Sequence, residues 1–171
     1  MTPRPAAFLD RDGILNHDNG YIHKPEDFVW VDRARDAVKF LKDAGYWIFV
    51  VTNQAGIARG LYGESDVVRL HQWVNSELAS LGCAIDAFYF CPHHPEAGDS
   101  PYRRDCDCRK PLPGMLLRAM AEFPVQRQGS FLVGDRQTDL EAAHAAGIPG
   151  HLFTGGDLLA FIQAITNGTG A

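Results

Sequence analysis

Residues 6–15 read Ala-Ala-Phe-Leu-Asp-Arg-Asp-Gly-Ile-Leu, a short apolar run that breaks on two carboxylates and a glycine. Four consecutive apolar residues, Ala6–Leu9, read as a strand buried on both faces. Asp10 and Asp12 follow it directly. The same event recurs down the chain. Tyr46–Val51 is a near-continuous apolar run ending at Thr52-Asn53-Gln54, Ile85–Phe90 runs into Cys91 and His93, and Ser130–Val133 runs into Gly134-Asp135. Helical spacing fills the intervals. Ala37, Phe40, Leu41 and Ala44 share one face, with Gly45 where a C-terminal cap belongs. Val67, Leu70, Val74, Leu78 and Leu81 mark a second helix, with Ser65 or Asp66 as its N-cap. Further helices are expected at about Gly114–Glu122, Leu140–Ala146 and Asp157–Ile165, with a short strand at His151–Phe153. Asn167–Ala171 reads as a loose tail. This alternation predicts an α/β fold, with a mostly parallel central sheet covered by helices on both faces.

The polar residues that stand out lie just after strands. In open α/β sheets ligands bind at the carboxyl ends of strands, so four strand ends are expected to converge on one crevice. The chain has 171 residues, 46% hydrophobic and 22% charged, which is ordinary for one globular domain spanning 1–171. No apolar run reaches the roughly 18–20 residues that cross a bilayer. No room for a signal peptide precedes the first strand, so the expectation is a cytoplasmic protein with no membrane partner. A formal net charge of −5 disfavours nucleic acid as a partner.

Two carboxylates in one turn can share a hard cation and leave one oxygen free to attack phosphorus. A second acid in reach can protonate the leaving oxygen and then activate water. An Asx-turn after a strand explains the pair equally well. Thr52-Asn53-Gln54 offers a hydroxyl and N–H groups to phosphoryl oxygens, or a plain turn. Lys110 can neutralise a transferring phosphoryl group and Arg109 can grip a second anion with its planar fork. A solvated charge pair is the bland alternative. Asp135 is a candidate third carboxylate for the cation. Asp139 reads as a complement to a helix N-terminus more than as support for that site.

Cys91-Pro92-His93 and Cys106-Asp107-Cys108 are two hairpins separated by residues 94–105. Three thiolates and an imidazole make a closed, structural tetrahedral zinc site, although the spacing within each pair is tighter than usual. Residues of about 91–110 then form a zinc-stabilised loop that carries Arg109 and Lys110. His94 is expected not to be a ligand, and Cys83 to be a structural thiol.

Strand-Asp-x-Asp-Gly, strand-Thr-Asn, a later Lys and strand-Gly-Asp, in this order, resemble the haloacid dehalogenase phosphatase superfamily over nearly the whole chain. The resemblance implies a Rossmann-like three-layer sandwich. It implies Asp10 as nucleophile, Asp12 as general acid/base, and Thr52 and Lys110 as stabilisers of the phosphoryl group. It also implies magnesium on Asp10, the Asp12 carbonyl and Asp135. Ile14 stands where members often have Thr or Val. The gap from Asp12 to Thr52 leaves no room for a large cap domain, so the site should be open.

Residues 20–28 (GYIHKPEDF), 50–60 (VVTNQAGIARG), 90–95 (FCPHHP) and 106–115 (CDCRKPLPGM) are similar to the D-glycero-D-manno-heptose 1,7-bisphosphate 7-phosphatase family. That implies removal of the 7-phosphate on the way to nucleotide-activated heptose for lipopolysaccharide. It implies substrate contacts from Arg11, Asp18, Asn19, Gly20, Tyr21, Asn53, Gln54, Ala55 and Arg109, with Arg136 also at phosphate. The partner is then a small sugar bisphosphate, and a monomer is expected. Residues 134–139 resemble instead the histidinol-phosphate phosphatases, because heptose enzymes often have Lys at position 136. A zinc-stabilised binding module without turnover is the non-enzyme alternative; magnesium-dependent release of phosphate separates it from either enzyme.

Overall fold

The computed structural model describes residues 2–99 and 101–168. Five strands, β1 (Ala6–Leu9), β2 (Trp47–Asn53), β3 (Ala87–Cys91), β4 (Phe131–Gly134) and β5 (Gly150–Leu152), form one sheet in the order β3-β2-β1-β4-β5. Every pairing is parallel. The connections carry helices α1 (Ala34–Asp43), α2 (Glu64–Ala79), α3 (Gly114–Glu122) and α4 (Gln137–Ala145), and α5 (Leu158–Gly168) follows β5.

The alternation of side chains along each strand sorts the core into two layers. Ala7, Leu9, Ile48 and Val50 point to one face, where they meet Val38 of α1, Leu70 and Val74 of α2 and Ile162 of α5. Ala6, Phe8, Phe49 and Val51 point to the other, against Leu116 and Ala119 of α3 and Ala142 of α4. Strands buried on both faces are why the sequence shows continuous apolar runs rather than alternation. The result is the expected three-layer α/β sandwich. The chain steps outward from β1 to β2 to β3, then returns to the far side of β1 as β4. That reversal opens a crevice between the carboxyl ends of β1 and β4.

Several boundaries differ from the sequence-based expectation. β2 continues two residues further, so Thr52 and Asn53 are strand residues hydrogen-bonded in register with Phe90 and Cys91. The N-cap of α2 is Gly63, whose N–H donates to Asp66 Oδ2 at 2.9 Å. Asp66 therefore works from the third helical position, as the returning half of a capping box. Helix α2 stops at Ala79, which leaves Leu81 outside its apolar stripe and exposed. Asn167 belongs to α5 rather than to a tail, and residues 169–171 lie outside the described residues. Between β1 and α1, residues 10–33 hold only a 3-10 turn, Pro25–Asp27, and isolated bridges. No helix is long and apolar enough to cross a membrane, among the described residues.

One buried polar residue on α2 escaped the sequence reading. His71 stacks on Phe88 with ring centroids 4.4 Å apart and is almost fully buried. Burial, helped by the nearby Arg11 guanidinium, pulls its pKa down to about 3. In the unfolded chain it takes up a proton near its ordinary value, so folding stability is complete above about pH 6.5. It is lost progressively as pH falls towards 3, by about 2 kcal/mol at pH 5. The stability gap between the wild type and His71→Gln should therefore shift by that amount between pH 7.5 and 5 in urea titrations. A pH-independent gap would mean that His71 takes up its proton as readily in the fold as in the unfolded chain.

Candidate active site

The carboxyl ends of β1, β2 and β4 and the segment after β3 enclose a cavity of about 560 Å³. Asp10 leaves the end of β1, its N–H still bonded to the Val133 carbonyl at 3.0 Å, so the β1–β4 ladder fixes its position. Asp10 Oδ1 accepts from the Arg11 N–H at 2.8 Å and lies 3.0 Å from Lys110 Nζ. Burial raises the Asp10 carboxyl to about 7, against the pull of Lys110, and the nearby Asp139 and Asp12 push the same way as burial.

Asp135, just past β4, packs under the turn after β1. A Cβ on Gly13 would lie 2.2 Å from Asp135 Oδ2, and Gly13 has φ +88°, so only glycine fits there. Asp135 Oδ1 is buried without a partner. Its carboxyl is raised by burial and by Asp139. Oxygens of Asp10, Asp135 and Asp139 all lie within 4.8 Å of one another. Asp139 is already engaged: Oδ1 accepts from Lys110 Nζ at 2.6 Å and Oδ2 from the Arg136 N–H at 3.1 Å. Asp10 and Asp135, with an orphaned oxygen between them, are therefore the carboxylates fitted to a hard divalent cation. The Asp12 carboxylate is not part of this cluster, which leaves its backbone carbonyl as the group it can offer.

Lys110 is the hub. Its ammonium is buried and bridges Asp10, Asp139 and the Val51 carbonyl at 3.0, 2.6 and 2.8 Å. Burial works against the charge, but Asp10 and Asp139 outweigh it and hold the lysine above its ordinary pKa. Asn53 clamps the backbone of Lys110 from both sides, accepting its N–H at 3.0 Å and donating to its carbonyl at 3.2 Å. Asp139 is thus more than a complement to the α4 N-terminus. The sequence offered the Gly-Asp-x-x-x-Asp spacing, but not the long-range partner that makes the buried carboxylate affordable.

Asp12 is gripped by donors. Asn16 Nδ2 reaches Oδ1 at 2.9 Å and Gln54 Nε2 reaches Oδ2 at 3.1 Å. Gln54 Nε2 also donates to Thr52 Oγ1 at 2.9 Å, and the Tyr62 hydroxyl donates to Gln54 Oε1 at 2.6 Å. Gln54 thereby ties Asp12 to Thr52, and Tyr62, not anticipated from the sequence, keys its orientation.

Of the residues the sequence singled out, Asp18, Gly20, Tyr21, Ala55, Arg109 and Arg136 line the cavity beside Asp10, Asp12 and Lys110. Arg136 Nη2 crosses to Asp18 Oδ2 at 3.4 Å. Asn19 is exposed and outside the lining, and Thr52 is fully buried behind Gln54. The Arg11 guanidinium is fully buried and meets the Ile22 carbonyl, His71 and Asp12 in the protein interior rather than the cavity. Arg59 and His94 join the lining unannounced. His94 Nδ1 accepts the Glu96 and Ala97 N–H groups at 3.1 and 2.8 Å, which assigns the proton to Nε2.

Away from this cavity, Cys91, His93, Cys106 and Cys108 converge. Cys91 Sγ lies 3.6 Å from Cys106 Sγ and 3.1 Å from Cys108 Sγ, and His93 Nδ1 lies 3.7 and 3.4 Å from Cys91 and Cys108. These spacings approach the edges of a tetrahedron with metal–ligand bonds of about 2.0–2.3 Å, so the residues fit zinc. The intervening loop is laddered through His94 and Arg104 and docks on residue 58, where a Cβ on Gly98 would lie 1.7 Å from the Ala58 carbonyl oxygen.

With the geometry in place, comparison with known proteins is direct. The HAD-hydrolase-like family model matches residues 107–159. A D-glycero-beta-D-manno-heptose-1,7-bisphosphate 7-phosphatase of Rhodopseudomonas palustris is 46% identical over 162 residues, 95% of this chain and 90% of that protein. The chain belongs to this phosphatase family. The Escherichia coli member is 44% identical over 84% of this chain and 75% of its own length. The crystal structure of D,D-heptose 1,7-bisphosphate phosphatase from B. bronchiseptica complexed with magnesium and phosphate is 29% identical, with a TM-score of 0.81 over 98% of this chain and 99% of that one. The family's HAD-like phosphatase core accounts for the parallel sheet and for the strand ends that carry the carboxylates.

Proposed function

We propose that the protein hydrolyses the 7-phosphate of D-glycero-D-manno-heptose 1,7-bisphosphate, in the synthesis of nucleotide-activated heptose. The single observation that carries the reading is the group of Asp10, Asp135 and Lys110 at one crevice, with Arg109 and Arg59 on the wall of the same cavity. One set suits a reacting phosphate and the other a second, distant anion. Family membership supports a bisphosphate over histidinol phosphate, and Arg136, the residue that pointed to the latter, pairs with Asp18 at the cavity wall.

Asp10 supplies the carboxylate oxygen that attacks phosphorus, and the bond from phosphorus to the sugar oxygen breaks. Asp12 gives that oxygen a proton, then takes one from the water that cleaves the aspartyl phosphate. Lys110 balances the oxygens of the transferring group, with Thr52 held beside it by Gln54. Asp10, Asp135 and the Asp12 carbonyl would hold magnesium, which supplies charge neutralisation for a carboxylate approaching a phosphate. Cys91, His93, Cys106 and Cys108 would hold zinc as a closed structural ion. The reading includes one domain over 1–171, a monomer and a cytoplasmic location.

The deciding assay compares heptose bisphosphate with histidinol phosphate, with and without magnesium. Release of one phosphate from the first, and little from the second, is expected. Preference for histidinol phosphate would overturn the substrate. Arg109→Ala should lower kcat/KM for the bisphosphate by about 10–100-fold, the value of one charge-assisted anchor of about 1.5–3 kcal/mol. A heptose 7-monophosphate should lose little. Equal losses on both would remove the distal-anion role.

A further inference from the structure

A fully buried arginine is costly, and its five N–H groups must all find acceptors. Arg11 leans on four. Its Nη2 donates to the Ile22 carbonyl at 2.6 Å and to Asp12 Oδ1 and Oδ2 at 3.1 and 3.3 Å, and its Nε donates to Asp12 Oδ1 at 3.3 Å. Its Nη1 lies 3.3 Å from His71 Nε2. Arginine can only donate, so His71 meets it as a neutral ring with a bare Nε2. The ring is held in turn by its stack on Phe88 of β3. We infer that Arg11 and His71 are positioning residues that aim the Asp12 carboxylate at the leaving oxygen, and so serve proton transfer rather than substrate binding.

This rests on the reading of Asp12 as the general acid and base. The guanidinium is planar and rigid, so its partners act on it together. Ile22 anchors Nη2, the same nitrogen that touches Asp12, and His71 meets Nη1, so the two fix the pose of the fork and with it the donors offered to Asp12. Removing the His71 acceptor would strand one N–H in an apolar pocket, and the guanidinium would turn to satisfy it, taking Asp12 along. Asn16 and Gln54 hold the other side of the carboxylate, which keeps the change one of aim rather than collapse.

In the first half-reaction Asp10 oxygen bonds to phosphorus, the phosphorus–oxygen bond to the leaving group breaks, and that oxygen keeps the electron pair. A sugar alkoxide needs the Asp12 proton as it leaves; a nitrophenolate does not. The test compares kcat/KM for heptose bisphosphate and for p-nitrophenyl phosphate, since kcat/KM reports the steps up to departure of the leaving group. His71→Phe, which keeps the stack but lacks the acceptor, should lower the sugar value by about tenfold or more, with the aryl value within about twofold. His71→Gln, which restores an acceptor, should recover it. Asp12→Asn sets the reference and should show a larger split of the same sign. Arg11→Lys keeps the charge but cannot span the three residues Ile22, Asp12 and His71, and carries the same expectation should His71→Phe fail to fold. Equal losses on both substrates, or none on either, would overturn the inference while the Asp12→Asn split stands. An Asp12→Asn variant that loses both equally would remove the acid–base reading itself.

Discussion

Replacing Asp10 with Asn is expected to reduce phosphate release by at least about 10⁴-fold, the scale seen when a covalent nucleophile is removed. The fold should survive the change. The amide oxygen can still accept from the Arg11 N–H and from Lys110, the two donors that Oδ1 meets. Burial already favours a neutral group at this position, since it raises the carboxyl to about 7. The variant should therefore unfold at the same urea concentration as the wild type or a higher one. Acid-quenched wild type should carry phosphate on Asp10 during turnover, and the variant none. Retained phosphate release by Asp10→Asn would exclude the covalent route and leave direct attack by water.

Loss of zinc is expected to have the next largest effect. Cys108 directly precedes Arg109 and Lys110, and Gly114 at the start of α3 donates to the Asp107 carbonyl at 2.9 Å. The ion would thus fix the piece of backbone from which both cations project. Burial pushes the Cys91 and Cys108 thiols up, so metal binding must release protons, and chelation should be easier at low pH. Protein verified free of zinc, or Cys108→Ser, should lose about 10–100-fold in kcat/KM, the range seen when ligands of a site lose their support. Proteolysis should open first within residues 94–105. Full activity in a zinc-free sample would show that the contacts of Lys110 with Asn53, Asp10, Asp139 and Val51 hold it without the ion.

The two results bear on different links. Asp10, the proposed nucleophile, is positioned by the β1–β4 ladder. The cations are set by a loop that has little regular structure of its own and leans on the cysteine–histidine cluster, on Asn53 and on Ala58. A phosphatase without a cap domain must take its specificity from such loops.

How much of this was legible in the sequence depends on the range over which each feature is decided. Continuous apolar runs and helical spacing are local consequences of strands buried on both faces and helices buried on one. They determined the parallel three-layer fold, and with it the strand ends where Asp10, Thr52 and Asp135 stand. Cysteine and histidine clustering likewise singled out Cys91, His93, Cys106 and Cys108, which the fold brings together. Element ends were less legible, because β2 runs on through Thr52 and Asn53 by pairing with β3, and the ladder outweighs the local polarity. What only the tertiary structure decided is which polar groups meet. Asp139 finds Lys110 from 29 positions away, Arg11 finds His71 from 60, and Gln54 finds Asp12 from 42. A buried charge is tolerated only where its partners are delivered to it, and that delivery is a property of the folded backbone rather than of any window of sequence.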